Sequence, residues 1–365
     1  MRAAGRTDRR PSLAGKAHAR RHAGALAALT AKKFSRKNTT VPTPFIRLRM
    51  SSAWAAAMLA TAAAAQAQPY PTRPMTIVVP FAAGSGTDQL ARSLAQALGA
   101  QYKVPVIVDN RAGASGFLAA QYVAKAVPDG YTVLMTTNTT HAANEHLFKK
   151  LPYDPVKDFT PVALLSKGHM LLLVNADSAI KSVADLIAAA KKSPGKLNFG
   201  SGSSSSRVAS ESLKQMAGID VVNVPYKSNP MAITDLLGGQ VDFMFADTPT
   251  ALPQVKSGKL RALAVSGNQR LAAVPALPTV EEAGVKGYDM SYWTAVYLPP
   301  GAPAAITGKL NEMVIDAASA PTFVAYRAST SGEVVTSTPE GLAAFQAAES
   351  RKWGQVIRAA GIQPE

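Results

Sequence analysis

The stretch that most limits what this chain can become is residues 75–92, Met-Thr-Ile-Val-Val-Pro-Phe-Ala-Ala-Gly-Ser-Gly-Thr-Asp-Gln-Leu-Ala-Arg. Met75–Val79 is apolar and β-branched, Pro80–Gly86 cannot be helical throughout, and Leu90, Leu94 and Leu98 recur four apart. The pattern predicts a strand, a tight turn and a helix. Gly84 and Gly86 allow close approach of the backbone to a ligand from Phe81 and Ala83 onward, and Ser85 and Thr87 add hydroxyls beside the N–H groups left free where a helix begins. Such a start attracts anions. Asp88, in the first helical turn, suits the helix dipole and caps or orients the loop.

The same unit returns. Val104–Val108 reads as a strand, Asn110–Gly116 as a glycine-rich turn, and a helix follows with Leu118, Tyr122 and Ala126 on one face. Pro128-Asp129-Gly130 ends that helix, and Thr132–Thr136 is a third strand. Strands alternating with helices across short turns mean a parallel sheet with right-handed crossovers, whose ligands bind beyond the carboxyl ends of the strands. The loop after Met135 therefore joins the candidate site, with Thr137, Thr139, Thr140 and His141.

Pro161–Val174 is strand material, interrupted at Lys167-Gly168-His169. Ser182 and Asp185 then begin a helix that runs through Lys192. After the strand Leu197–Phe199 comes Gly200–Arg207, in which Ser203, Ser204, Ser205, Ser206 and Arg207 bring hydroxyls and one guanidinium to a helix start, a combination suited to a carboxylate. Strands at Val221–Val224, Val241–Phe245 and Leu260–Val265, with helices near Met231–Leu237 and Thr250–Ser257, complete a second α/β unit. Asp247 follows one of these strands and either receives a ligand's amine or hydroxyl or caps the next helix.

A strand near Met290–Leu298 and helices after Pro303 and Pro339 close the chain. The last helix, Leu342–Ala359, has an apolar stripe of Leu342, Phe345, Val356 and Ile357 and is expected to pack on the first unit. Two α/β units linked by two crossings predict two lobes with a ligand cleft between them: residues 68–170 plus 268–365 in one, 171–267 in the other.

The net charge of +16 over 365 residues suggests nucleic acid, but its distribution argues otherwise. Residues 1–50 hold 13 Lys or Arg against the single acid Asp8, while residues 68–365 hold 26 basic and 22 acidic residues. No basic patch interleaved with aromatics follows the leader. Ser52–Ala65 is apolar and alanine-rich, and Ala65-Gln66-Ala67 is a small-x-small pattern, so residues 1–67 read as a leader with a secretory signal peptide cut near Ala67. Residues 1–49 are explained most simply by a start codon assigned too early, with a transit peptide as the alternative. The chain has no cysteine, which removes disulfides, thiolate nucleophiles, Cys-ligated metals and a lipid-modified N-terminal Cys.

No Gly-x-Ser-x-Gly elbow and no phosphate-binding Gly-x-x-x-x-Gly-Lys loop occurs, and Gly84-Ser85-Gly86 lacks the third glycine of a dinucleotide fingerprint. His141 and His146 are five apart, a poor fit to helical zinc ligands. These absences favour binding over catalysis, without cofactor or metal.

Beyond residue 68 the chain resembles the Bug family, the extracytoplasmic solute receptors of tripartite tricarboxylate transporters. The resemblance lies in Tyr70-Pro71-x-Arg73-Pro74, Val79-Pro80-Phe81-Ala82-Ala83-Gly84-Ser85-Gly86-Thr87-Asp88, Asn110-Arg111-Ala112-Gly113, Pro128-Asp129-Gly130-Tyr131 and Leu151-Pro152-Tyr153-Asp154-Pro155. It continues in Val224-Pro225-Tyr226-Lys227 and Asp235-Leu236-Leu237-Gly238-Gly239-Gln240-Val241-Asp242. It implies a two-lobed fold like that of type II periplasmic binding proteins, closing over a small organic acid. It implies too that Phe81–Asp88 holds one carboxylate largely through main-chain N–H groups, the loops Thr136–His141 and Ser201–Arg207 with Asp247 supplying the rest. The implied partners are membrane transporter subunits, and the receptor would be a periplasmic monomer. Ser206-Arg207 stands where the family commonly has Thr-His, Ser228-Asn229-Pro230 replaces a Gly-rich pair, and Glu145 replaces Pro; these departures bear on which acid is bound. Two other readings stay open: an exported acyl-transfer enzyme using the Ser-rich loop with His141 as base, and a sensory receptor for the same solute.

Overall fold

The computed structural model describes residues 70–365, so the leader and its cleavage site near Ala67 lie outside the described residues. The first unit is β1 (Met75–Val79), α1 (Gly86–Tyr102), β2 (Val106–Asn110), α2 (Phe117–Ala124) and β3 (Thr132–Thr137). β1 lies between β2 and β3 and runs parallel to both. Leu90, Leu94 and Leu98 of α1 pack with Met75, Ile77 and Val79, alternate residues on one face of β1. Burying each such side chain stabilises the fold by about 1.5–3 kcal/mol relative to leaving it exposed.

On α2 the buried face is Ala119, Ala120 and Val123, while Leu118 and Tyr122 are exposed. The expected stripe of Leu118, Tyr122 and Ala126 is thus the outer one. Small residues let the helix approach the sheet closely, and Tyr122 lies instead under the Arg111 guanidinium, 3.4 Å from ring centroid to carbon.

A π-type turn (Thr139–Ala143) and the short α3 (Asn144–Leu147) lead to β4 (Thr160–Asn175). The break expected at Lys167-Gly168-His169 does not occur: these residues pair with Trp293, Tyr292 and Ser291 of the later strand. Gly168 has the side-chain space that the Tyr292 ring occupies, since a Cβ there would lie 2.6 Å from it. Glycine here admits a close neighbour rather than ending a strand.

The second unit follows as α4 (Val183–Lys192), β5 (Asn198–Ser201), α5 (Ser204–Ala217), β6 (Val222–Pro225), α6 (Asn229–Leu237), β7 (Phe243–Asp247), α7 (Thr248–Lys256) and β8 (Leu260–Val265). The chain then returns through β9 (Ser291–Leu298), α8 (Ala304–Ala318), α9 (Pro321–Ser329), β10 (Glu333–Val334) and α10 (Pro339–Ala359). The strand order is β2-β1-β3-β9-β4-β7-β5-β6, with β8 and β10 also pairing to β4.

β4 is common to two sheets. Its residues from Thr160 to His169 pair with β9, and those from Met170 to Asn175 pair with β7 and β8. Register shifts near Ala163, Leu164 and Leu172 bend it. α10 buries Leu342 and Ile357, with Phe345 and Val356 partly covered, and packs against the π-type turn, β4 and α5. It therefore touches elements of both α/β units, not the first alone.

Candidate functional site

The strand-to-helix turns of the two units face one another across a cavity with about 530 Å³ of free space, its open mouth included. The first turn is held open by its own side chains. Gly84 sits at φ +82°, a left-handed conformation that glycine adopts without strain. Ser85 caps α1, its Oγ accepting from the Asp88 amide at 3.2 Å. The buried Asp88 carboxylate accepts from the Gly84 amide at 2.9 Å, from Asn110 Nδ2 at 2.9 Å and from Arg92 Nε at 3.1 Å. Asp88 is therefore a brace. The Ser85 side chain takes the Asp88 amide and the Ser85 carbonyl takes the Gln89 amide, which leaves the Gly86 and Thr87 N–H groups of the first helical turn. Phe81, Ser85, Gly86 and Thr87 line the cavity, whereas Ala83, Gly84 and Asp88 do not.

Thr137, at the end of β3, is the member of the second loop that reaches the cavity. Thr139, Thr140 and His141 lie behind it, fully buried. His141 stacks on Tyr297 with ring centroids 4.0 Å apart, and its Nδ1 pairs with Thr140 Oγ1 at 2.8 Å. Burial pushes its pKa down to about 3, so the imidazole is neutral at physiological pH.

In the third turn Ser203 caps α5 and forms a capping box with Ser206. Ser204 donates to Asn144 Oδ1 at 2.7 Å, and Ser205 accepts from Asn138 Nδ2 at 2.8 Å. Ser203 and Ser205 line the cavity with Gly202; Ser204 and Ser206 serve as ties within the protein. Gly202 presses on the Ser228–Asn229 backbone, where a Cβ would collide. Arg207 belongs to a neighbouring hollow and forms an ion pair with Glu365 at 2.6 Å.

Asp247 lines the cavity and caps α7 at once. Its Oδ1 accepts from the Thr250 amide at 3.2 Å and from Thr250 Oγ1 at 3.0 Å, and its Oδ2 accepts from Asn229 Nδ2 at 2.6 Å. Burial pushes its carboxyl up in pKa, against the pull of these donors. The carboxylate abuts Gly86, and a Cβ on Gly86 would collide with it.

The remaining lining comes from residues that the sequence reading did not select, among them Met170, Asn229, Pro249, Tyr292 and Arg327. Tyr292 sits in a strand that was foreseen, but an inward tyrosine in an apolar run reads as core. Arg327 is carried by α9, a helix that was not foreseen. Among the described residues there is no cluster of three or more His, Cys or acidic side chains able to hold a metal, and no helix is long and apolar enough to cross a membrane.

Two α/β sheets sharing one strand, with a cavity lined by facing strand-to-helix turns, define the two-lobed periplasmic binding-protein class. Residues 90–362 match the tripartite tricarboxylate transporter family receptor, and the chain belongs to that family. It is similar to R. palustris Rpa4515, solved with adipate, at 36% identity and TM-score 0.79, covering 81% of this chain and 100% of that one. It is similar also to the periplasmic binding protein BugD at 31% identity and TM-score 0.78, covering 81% and 100%. MatC from Rhodopseudomonas palustris, solved with malate, shares 33% identity and TM-score 0.75 over 79% of this chain and 100% of that one.

Proposed function

We propose that this protein is a periplasmic receptor that captures a small organic acid in the cavity and delivers it to the membrane subunits of a tripartite transporter. It would act as a monomer, after cleavage of the leader near Ala67. In this reading the lobes are residues 68–170 with 268–365 and residues 171–267, and the cavity between them closes on the ligand.

The observation that carries the reading is the convergence of helix starts. The free amides of Gly86 and Thr87, the hydroxyls of Ser203 and Ser205, and the α7 start beside Pro249 all border one cavity. Similar proteins solved with adipate and with malate support an acid as ligand. We assign no catalysis: the base that an acyl-transfer reading requires, His141, is stacked behind the cavity and bonded to Thr140, with no serine among the described residues hydrogen-bonded to its ring.

The test is thermal unfolding of the refolded, ligand-stripped protein with mono-, di- and tricarboxylates, amino acids and aromatic acids. A true ligand at 100 times its Kd adds about 2.7 kcal/mol and raises the melting temperature by a few degrees. Absence of a shift across all of these from a folded protein would exclude an organic-acid receptor.

A further inference from the structure

Arg327 is the most unusual charged residue among the described residues. It is 2% exposed, yet no carboxylate among the described residues lies within ion-pair distance of it. Nη2 donates to the Lys167 carbonyl at 3.1 Å, and Nε has no hydrogen-bond partner. Gly332 presses on the guanidinium, so that any Cβ there would collide with it. The group is thus pinned from behind by glycine and by a main-chain carbonyl while Arg327 lines the cavity in front.

A guanidinium cannot lose its proton under these conditions, so burial without an anion carries a large desolvation cost. The one acid in the cavity wall, Asp247, makes no ion pair with it; its oxygens are bonded to Asn229 and Thr250. The Tyr292 hydroxyl, in the same cavity lining, is buried too and has no well-formed hydrogen bond. Buried polar atoms are nearly always paired, so a guanidinium N–H and a hydroxyl left over in one cavity wall point to a missing acceptor.

We propose that Arg327, with Tyr292, forms a second anion subsite, so that the ligand is a dicarboxylate spanning from the Gly86–Thr87 amides to the guanidinium. This rests on the organic-acid receptor reading. The first carboxylate meets main-chain donors and hydroxyls; the second meets a charged, pinned donor and contributes most of the discrimination against acids that lack it.

The test compares straight-chain dicarboxylates from succinate to pimelate with monocarboxylates of equal length, by calorimetry on the wild-type protein and on Arg327→Gln, Arg327→Lys and Tyr292→Phe. The wild type should prefer its best dicarboxylate over the matched monocarboxylate by at least about tenfold, the worth of one hydrogen bond to a charged group. Arg327→Gln should abolish that preference while changing monocarboxylate affinity by less than about threefold; Arg327→Lys should keep part of it. Should Arg327→Gln not fold, the wild-type preference and a reduced preference in Tyr292→Phe still decide. Equal wild-type affinity for both series, or equal weakening of both by Arg327→Gln, would overturn the subsite alone. A folded wild type that binds no acid would overturn the receptor reading and the subsite with it.

Discussion

Two arginines behave in opposite ways. Arg207 stands in a Ser-rich loop at a helix start, where sequence makes a cation conspicuous, and it is occupied: its side chain is 21% exposed and paired with Glu365. Arg327 stands in an ordinary-looking segment, Pro321–Ser329, and is buried at the cavity without an ion-pair partner among the described residues. The difference teaches that loop context advertises a charge, whereas an unmet electrostatic requirement marks where a charge is used. His141 completes the contrast. It too is buried without an anionic partner, but an imidazole escapes the cost by giving up its proton, and an arginine has no such escape.

The strongest way to break the comparison is at Gly332. Gly332→Ala would place a methyl group on the Arg327 guanidinium, and overpacking of this kind costs about 1–3 kcal/mol. The urea midpoint should fall accordingly, and dicarboxylate affinity should fall with it. Unchanged stability would mean that the guanidinium is not pinned.

A second test uses pH. His141 has its folded pKa lowered from 6.5 to about 3, so protonation favours the unfolded chain. Stability from this group is complete above about pH 6.5 and is lost as pH falls toward 3, at up to about 1.4 kcal/mol per pH unit. Relative to wild type, His141→Gln should show a shallower decline of melting temperature between pH 6.5 and 4. Parallel declines would mean that His141 is already charged in the folded protein.

The smallest effect belongs to Arg207. As a partly exposed ion pair it should contribute less than about 1 kcal/mol, and a double-mutant cycle of Arg207→Ala with Glu365→Ala measures that directly. Ligand affinity should move by less than about threefold. A tenfold loss would return Arg207 to the cavity and remove the contrast.

Much of the fold was legible because its units are local. The strand Met75–Val79 and the leucines of α1 follow from period and spacing alone, and Ser182 marks its helix start as a capping residue does. The loops after Val79 and Phe199 and the residue Asp247 were identifiable as cavity neighbours, since each ends a parallel strand. What was not legible depends on partners far along the chain. Gly168 reads as a break until Tyr292 is known to fill its space, and the helix Pro321–Ser329 carries no reading in the sequence until Phe323 is seen buried against the first unit. Thr139 and Thr140 share a residue type with Thr137, and only the π-type turn separates those that face inward from the one that reaches the cavity.

The strand common to both sheets has a mechanical consequence. Because β4 carries ladders to β9 on one stretch and to β7 and β8 on the next, neither sheet can slide along the other without breaking them. The relative freedom left is torsion about that strand, as about a torsion bar. Met170 lies on the axis, with Tyr292 on the strand to one side and Asp247, its own cross-strand partner, on the strand to the other. A twist therefore pivots beside two residues of the cavity wall, Asp247 and Tyr292, and displaces most the elements farthest from β4.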